Sequence, residues 1–336
     1  QGKLLRLDRN EILLDCSPQL GVIAIPRQSV ARLAASNGGS LHFSQLGGLD
    51  EWSSTGRDRK PSDWFTGLRG ELTTHQWSGN LYREIDFPEQ VEVHFRVAVP
   101  EGRPNLEIGL LRNPEEGPML ETWDGILVLT YRSHFVPVME MSESTKALDL
   151  RLFWDQGTGE VRLCSPSGEE LASLDGATPE GPDAEKRRRS DPRHRGFFIL
   201  NRNPELRLVS LQVRPWDGRP VPVIDLTRPR LHLRGEPVRF DTDEVLYTGS
   251  GETFQVGTKS VPLADLLEMT FAPAEESDTF PLPSSATRIA WHNGTTVSGA
   301  FLRIGPGELI LTPPWTTETV PAALDGAREI RFPENT

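Results

Sequence analysis

Short runs in which apolar and polar residues alternate, parted by turn signals, make up nearly all of this chain. KLLRL, EILLDC and GVIAI open it; VEVHFRVAV, NLEIGLLR, GILVLTY, LDLRLFWD, GEVRLC, RGFFILN and LRLVSLQVRPW follow, with DRN, QGTG, SPSG and GPG among the breaks. Alternation with period two marks a strand with one buried face, and Gly-, Asn- and Asp-rich breaks are where such strands turn. Helical periodicity is confined to one- or two-turn pieces, chiefly PRQSVARL, PLADLLEM and PAALDGAREI. The pattern predicts an all-β protein. Its 30 glycines and 28 prolines fit a fold with many turns and edges.

One order of features recurs three times: strand, tight turn, strand, a hydrophobe–Pro pair, a helical turn and a last short strand. The pairs are Ile25–Pro26, Val261–Pro262 and Val320–Pro321. Proline suits that place because it opens a helical turn, where its missing N–H is harmless. Between the first and last copies, Leu302 falls on Leu5, Ile304 on Leu7, Glu308 on Glu11, Leu309 on Ile12 and Leu311 on Leu14. The two later copies carry a leading hairpin, RLHLRGEPVRF and TRIAWHNGTTVSG, and HNG is a good two-residue hairpin signal. A full unit of about 45 residues and roughly five short strands suits a small, bent SH3- or Sm-like barrel. The expected plan is a partial repeat at 1–35, a different domain at 41–226, and full repeats at 228–273 and 285–334. A truncated barrel would leave an unpaired edge, so 1–35 is expected to pack against the region just after residue 225.

The middle domain, on the order of 180 residues of short antiparallel strands, is long enough for a two-sheet sandwich with a full core. Its strand order, the hairpin WDQGTGEVRL and the closing SLQVRPWDG resemble a concanavalin A-like, laminin-G-type jelly roll. They also resemble the related sandwich of the bacterial 3-keto-disaccharide hydrolase group. The small repeats are similar to tandem units beside such sandwiches in secreted or envelope-associated proteins of planctomycete-like bacteria. The resemblance implies an antiparallel jelly-roll sandwich flanked by small β-barrel repeats.

Charge narrows the partners. With 36 Lys+Arg against 48 Asp+Glu the formal charge is −12, a poor basis for gripping nucleic acid. The one basic cluster, KRRRSDPRHR at Lys186–Arg195, follows DGATPEGPDAE and reads as a solvated loop. Two cysteines, Cys16 and Cys164, exclude a disulfide scaffold but not a single bridge. Both stand in apolar alternating runs, where a small buried thiol fits. No run reaches the 18 or more apolar residues of a membrane-spanning helix. A start at Gln1 rather than Met is compatible with processing, and export is the expected localisation.

Motifs for catalysis are few. VEVHF and LEIGL each offer one carboxylate, and EMSES, with Glu140 and Glu143, is loop-like. Glycoside cleavage asks for two carboxylates about 5 to 10 Å apart. The seven histidines are scattered without ligand spacing, and no HExxH, GxSxG or nucleotide-binding phosphate loop occurs. No cofactor is expected; a structural calcium ion remains open, with DQGTG and NRNPE as candidate loops.

A binding reading has more to draw on. Of eight tryptophans, Trp64 and Trp77 stand in polar, turn-rich PSDWFTGLRG and TTHQWSGN, beside Arg69 and Asn80. A planar ring next to directed hydrogen-bonding groups is how carbohydrate is gripped. Trp123, in LETWDGILV, is a third candidate for the same face, whereas Trp154 and Trp216 alternate with apolar neighbours and read as core. Trp315, after two prolines in TPPWTTE, is a candidate partner anchor. The leading expectation is a non-catalytic exported protein that binds a glycan or another envelope protein. The alternative is a carbohydrate-active hydrolase or lyase of the keto-disaccharide hydrolase type. A scaffold without a small ligand, its tryptophans all inside, is a third option.

Overall fold

Strands in this protein pair antiparallel, and each sheet is two-faced because side chains alternate across it. The computed structural model describes residues 2–30, 32–34, 46, 48–54, 61–67, 70–111, 117–175, 195–234, 236, 238–249, 251–271, 286–291 and 295–332. The chain divides into two compact units, one made of Gln1–Asn37 with Asp225–Thr336 and one of Gly38–Ile224.

In the first unit β1 (Lys3–Leu7), β2 (Glu11–Asp15) and β3 (Val22–Pro26) form a meander, and β4 is Arg32–Ala34. The second unit opens with β5 (Trp64–Thr66), β6 (Leu72–Thr74), β7 (Asn80–Glu84), β8 (Gln90–Ala98) and β9 (Leu106–Leu111). It continues with β10 (Met119–Trp123), β11 (Ile126–Tyr131), β12 (His134–Glu140) and β13 (Ala147–Asp155). β14 (Val161–Cys164), β15 (Glu170–Leu174), β16 (Arg195–Asn201) and β17 (Leu206–Pro215) complete it. These make a six-stranded sheet, β12-β11-β10-β9-β16-β7, and a seven-stranded one, β15-β14-β13-β8-β17-β6-β5. Both sheets turn their apolar residues to one shared core, so the unit is a β-sandwich. β8 shows why the chain folds this way: Val91, Val93, Phe95 and Val97 are buried, and the polar residues between them face outward.

The first unit resumes with β18 (Arg230–Leu233), β19 (Val245–Leu246), β20 (Thr253–Val256), β21 (Lys259–Pro262) and β22 (Leu266–Thr270). It ends with β23 (Ala286–Trp291), β24 (Thr296–Gly305), β25 (Glu308–Thr312), β26 (Val320–Ala323) and β27 (Ala327–Arg331). The N-terminal segment finds its partners here. β4 pairs with β22, and Leu7 and Tyr247 exchange two backbone hydrogen bonds of 2.9 and 2.8 Å. Leu7 and Ile12 join Leu231, Val245, Phe254 and Met269 in one cluster. A second cluster joins Cys16 and Leu20 to Ile289, Trp291 and Leu309, with half-buried Trp315 packed against it.

Arg27 ties the N-terminal segment to the chain after 225. Its guanidinium donates to the carbonyls of Thr242 (2.5 Å) and Asp8 (3.2 Å), pairs with Asp243 and lies over the Phe271 ring. Such hydrogen bonds to a charged group are worth about 1.5–3 kcal/mol each.

Two of the similar stretches share a strand register. Leu4 pairs with Leu14, Arg6 with Leu13 and Leu7 with Ile12; correspondingly Phe301 pairs with Leu311, Arg303 with Ile310 and Ile304 with Leu309. Both ladders carry an irregularity at the same place, Leu4/Arg6 and Phe301/Arg303. Pro26 and Pro262 precede equivalent 3-10 turns, Arg27–Ser29 and Leu263–Asp265. The third helical piece does not form. In PAALDGAREI the Ala323 N–H donates to the Gln19 carbonyl and Leu324 to Gly307, so sheet contacts take the bonds a helical turn would need. Asp325–Gly326 then turns the chain, with Gly326 at φ +68.

Cys16 and Cys164 are free, buried thiols. Burial pushes both pKa values up, that of Cys164 to about 11. The native protein is expected to resist a thiol reagent at pH 8 and to release two equivalents once unfolded. Fast labelling of either cysteine in the native state would contradict the packing described.

Candidate functional site

Register across the six-stranded sheet sets one outward-facing row. Asn80 (β7) pairs with Leu200 (β16), Leu200 with Glu107 (β9), Glu107 with Glu121 (β10), Glu121 with Val128 (β11) and Val128 with Pro137 (β12). The adjoining row, Leu81, Ile199, Ile108, Leu120 and Leu129, is buried, so the first row must face away from the core. Two carboxylates therefore stand directly opposite each other on neighbouring strands. Like charges in that position repel. Each has a donor: the Arg202 guanidinium pairs with Glu107, and the Trp123 indole N–H donates to Glu121 at 3.0 Å.

Aromatic and amide groups flank the pair. The rings of Trp123 and Phe135 meet at 5.3 Å and are 40% and 61% exposed. Val128, on the strand between them, is buried. One row further on, Phe198 lies over Gly109, where any side chain would collide with the ring. Asn80 accepts a 2.8 Å hydrogen bond from the Ser54 hydroxyl. Behind Trp123 the left-handed turn Asp124–Gly125 holds the Arg103 guanidinium, and a side chain at Gly125 would occupy its place.

Buried amides fix this end of the sheet. Asn201 donates from its side chain to the carbonyls of Gln76 (2.9 Å) and Asn203 (2.8 Å), and its carbonyl accepts from Ser78 N–H. The Asn203 side chain accepts from Asn105 N–H at 2.6 Å and donates to the Arg103 carbonyl at 2.9 Å. The turn bearing Trp77, the loop of Arg103 and the start of β9 are thus clamped together. NRNPE spends its amides in this way. In DQGTG, Asp155 accepts from Gly157, Thr158 and Gln90. Burial works to raise the Asp155 pKa, and those hydrogen bonds outweigh it and hold the group low. Among the described residues no group of three or more His, Cys, Asp and Glu is placed to hold a metal ion.

The sequence candidates divide. Trp123 and Asn80 lie on the sheet end just described, and Trp77, 64% exposed, sits on the turn leading into β7. Trp64 is in the core, its indole N–H without an acceptor among the described residues. Trp315 belongs to the other unit. Arg69, the basic run 186–194, the side chain of Arg195 and the Asn293–Gly294 turn lie outside what the structure describes. Glu107 and Glu121 escaped sequence reasoning because each strand shows a single carboxylate. Trp216, expected in the core, is half-buried and packs on Phe153 at 5.5 Å, outside the core cluster.

The outer face of the seven-stranded sheet is also polar, but its charges satisfy one another. Glu92 pairs with Arg151 at 2.8 Å and stands opposite Arg214; His94 shares a 2.6 Å hydrogen bond with Asp149. Burial would raise the Glu92 pKa; the guanidinium groups of Arg151 and Arg214 outweigh it and hold the carboxylate below its usual range. Its contribution to stability is therefore complete above the ordinary carboxylate pKa and is lost as pH falls through the depressed one. Glu92→Gln should cost about 2 kcal/mol at pH 7, with the gap to the parent protein closing towards pH 2 in urea unfolding. A gap that does not depend on pH would contradict this.

Comparisons with known proteins give only distant matches. No family model matches the sequence, and no curated protein does. Among solved structures, a β-1,3-glucanase from Mycobacterium marinum is 12% identical over 53% of this chain and 100% of its own, with a TM-score of 0.35. A bifunctional GH43-CE protein of Bacteroides eggerthii is 9% identical over 61% and 32%, with a TM-score of 0.35. A GH43 protein from Bacillus licheniformis is 12% identical over 53% and 39%, at 0.33. At these TM-scores the likenesses carry no argument, and both fold and function have to come from the chain's own residues. No helix among the described residues is long and apolar enough to cross a membrane, which says nothing of strands.

Proposed function

We propose that the sandwich is a carbohydrate-recognition domain of jelly-roll type, in an exported protein, whose ligand lies across the outer face of the six-stranded sheet. The observation that carries this reading is the row Asn80–Glu107–Glu121 beside the exposed rings of Trp123 and Phe135. Sugar hydroxyls need directed acceptors and donors, which carboxylates and an amide supply; the C–H faces of a pyranose stack on an aromatic ring. Arg202 and the Trp123 N–H hold the two carboxylates in place, so the acceptors are ordered before a ligand arrives.

The pairing also supports a second reading, glycoside cleavage. Directly opposed residues have Cβ atoms about 4.5–5.5 Å apart, and retaining glycosidases hold their carboxyl groups about 5–5.5 Å apart. In that reaction one carboxyl gives its proton to the glycosidic oxygen while the other attacks the anomeric carbon. Water then releases the sugar and returns the proton. Glu107 beside a guanidinium and Glu121 beside a neutral N–H have unlike surroundings, as such a division of roles requires.

Titration calorimetry against a panel of neutral oligosaccharides, with reducing ends assayed in parallel, separates the readings. Binding is expected, and Trp123→Ala should weaken it at least tenfold, about 1.4 kcal/mol. Binding without new reducing ends supports recognition alone. Product that disappears in both Glu107→Gln and Glu121→Gln supports cleavage. Binding that survives Trp123→Ala and Glu121→Gln unchanged would sink the proposal.

A further inference from the structure

Four of the strands that carry the proposed face, β9 to β12, hold three glutamates, Glu107, Glu121 and Glu140, and neither a lysine nor an arginine. Glu107 and Glu121 share the outward row already traced. Glu140 belongs to the next one: Trp123 pairs with Ile126, and Ile126, 39% exposed, pairs with Glu140. Leu127, one residue on, is buried in the core, so Trp123, Ile126 and Glu140 share the outer face. The backbones at the ring and at this carboxylate stand two strand spacings apart, about 10 Å across the sheet.

Countercharge is short at this end of the sheet. The Arg202 guanidinium pairs with Glu107. Glu121 has the neutral indole N–H of Trp123, and the Glu140 carboxylate has no ion-pair partner among the described residues. The Arg103 guanidinium lies against Gly125, on a turn that also bears the acidic Asp124. Four carboxylates, Glu107, Glu121, Asp124 and Glu140, thus share this end with two guanidinium groups, Arg103 and Arg202.

Water screens that excess while the face is bare. A ligand lying across it removes the water, and a carboxylate so covered must gain a countercharge or lose solvation without return. A neutral sugar brings hydroxyl donors but no charge, and an anionic one adds repulsion. A cation supplies what is missing. The exposed ring of Trp123 favours the same choice, because its π-electrons attract a cation held within about 6 Å. Its N–H is already given to Glu121, so the ring has its face to offer.

We propose that the preferred ligand is an oligosaccharide bearing protonated amino groups, with an ammonium set against the Trp123 ring between Glu121 and Glu140. This selectivity rests on the ligand face proposed above, and it makes Glu140 a specificity-determining residue.

Calorimetry with a β-1,4-linked glucosamine tetramer and its fully N-acetylated counterpart tests this, in mildly acidic buffer where the amines are protonated. The two probes share length and linkage and differ in charge. The amine form is expected to bind at least tenfold more tightly, with the preference shrinking as salt is added. Glu140→Gln and Glu121→Gln should each cut the ratio of the two affinities at least threefold. Glu318→Gln, which removes the same charge from an exposed position in the other unit, should leave the ratio as it is. Equal affinities, tighter binding of the acetylated tetramer, a ratio indifferent to both sandwich substitutions, or one that falls as far in Glu318→Gln would each overturn the selectivity. The face itself would still be judged by Trp123→Ala. If neither tetramer binds, the selectivity falls, and the neutral panel tells whether the face falls with it.

Discussion

A slip of one residue in β9 or β10 would turn that strand's carboxylate, Glu107 or Glu121, into the core and push its Ile108 or Leu120 into water. Everything proposed for the sandwich depends on that register being held. The core holds it from below, since Leu81, Ile199, Ile108, Leu120 and Leu129 form a continuous buried row. Asn201 and Asn203 hold it from the end by tying three connections through their side chains. Buried amides hydrogen-bonded on both their oxygen and nitrogen favour one arrangement, because another would leave polar groups unpaired out of reach of water.

The two outer faces use the same strand geometry differently. On the seven-stranded face, Glu92 pairs with Arg151 and His94 shares a hydrogen bond with Asp149 within the sheet, which suits a structural surface. The six-stranded face sets two carboxylates opposite each other, an arrangement that costs repulsion, and offsets it with one guanidinium and one indole N–H. Cost without evident structural gain is what a ligand site looks like before its ligand is bound.

Alternation made the all-β class legible, and the hydrophobe–Pro spacing pointed to two stretches whose strand registers match, Leu4–Leu7 and Phe301–Ile304. What the sequence could not show was which strands lie side by side. LEIGL and MLETW each carry one acid; only the pairing sets the two side by side. Burial was equally hidden for Trp64, whose polar neighbours suggest a surface ring although its strand turns it inward. The helical reading of PAALDGAREI failed because backbone partners from Gln19 and Gly307, distant in sequence, outcompeted local propensity. Trp123 and Asn80, picked out through turn chemistry that the sequence does display, both lie at one end of the six-stranded sheet.

The most direct measurement follows the indole N–H resonances of all eight tryptophans during titration with an oligosaccharide. Trp123 should shift strongly while buried Trp64 and Trp154 stay still. If Trp216, on the seven-stranded sheet, moves and Trp123 does not, the ligand face has been assigned to the wrong side of the sandwich.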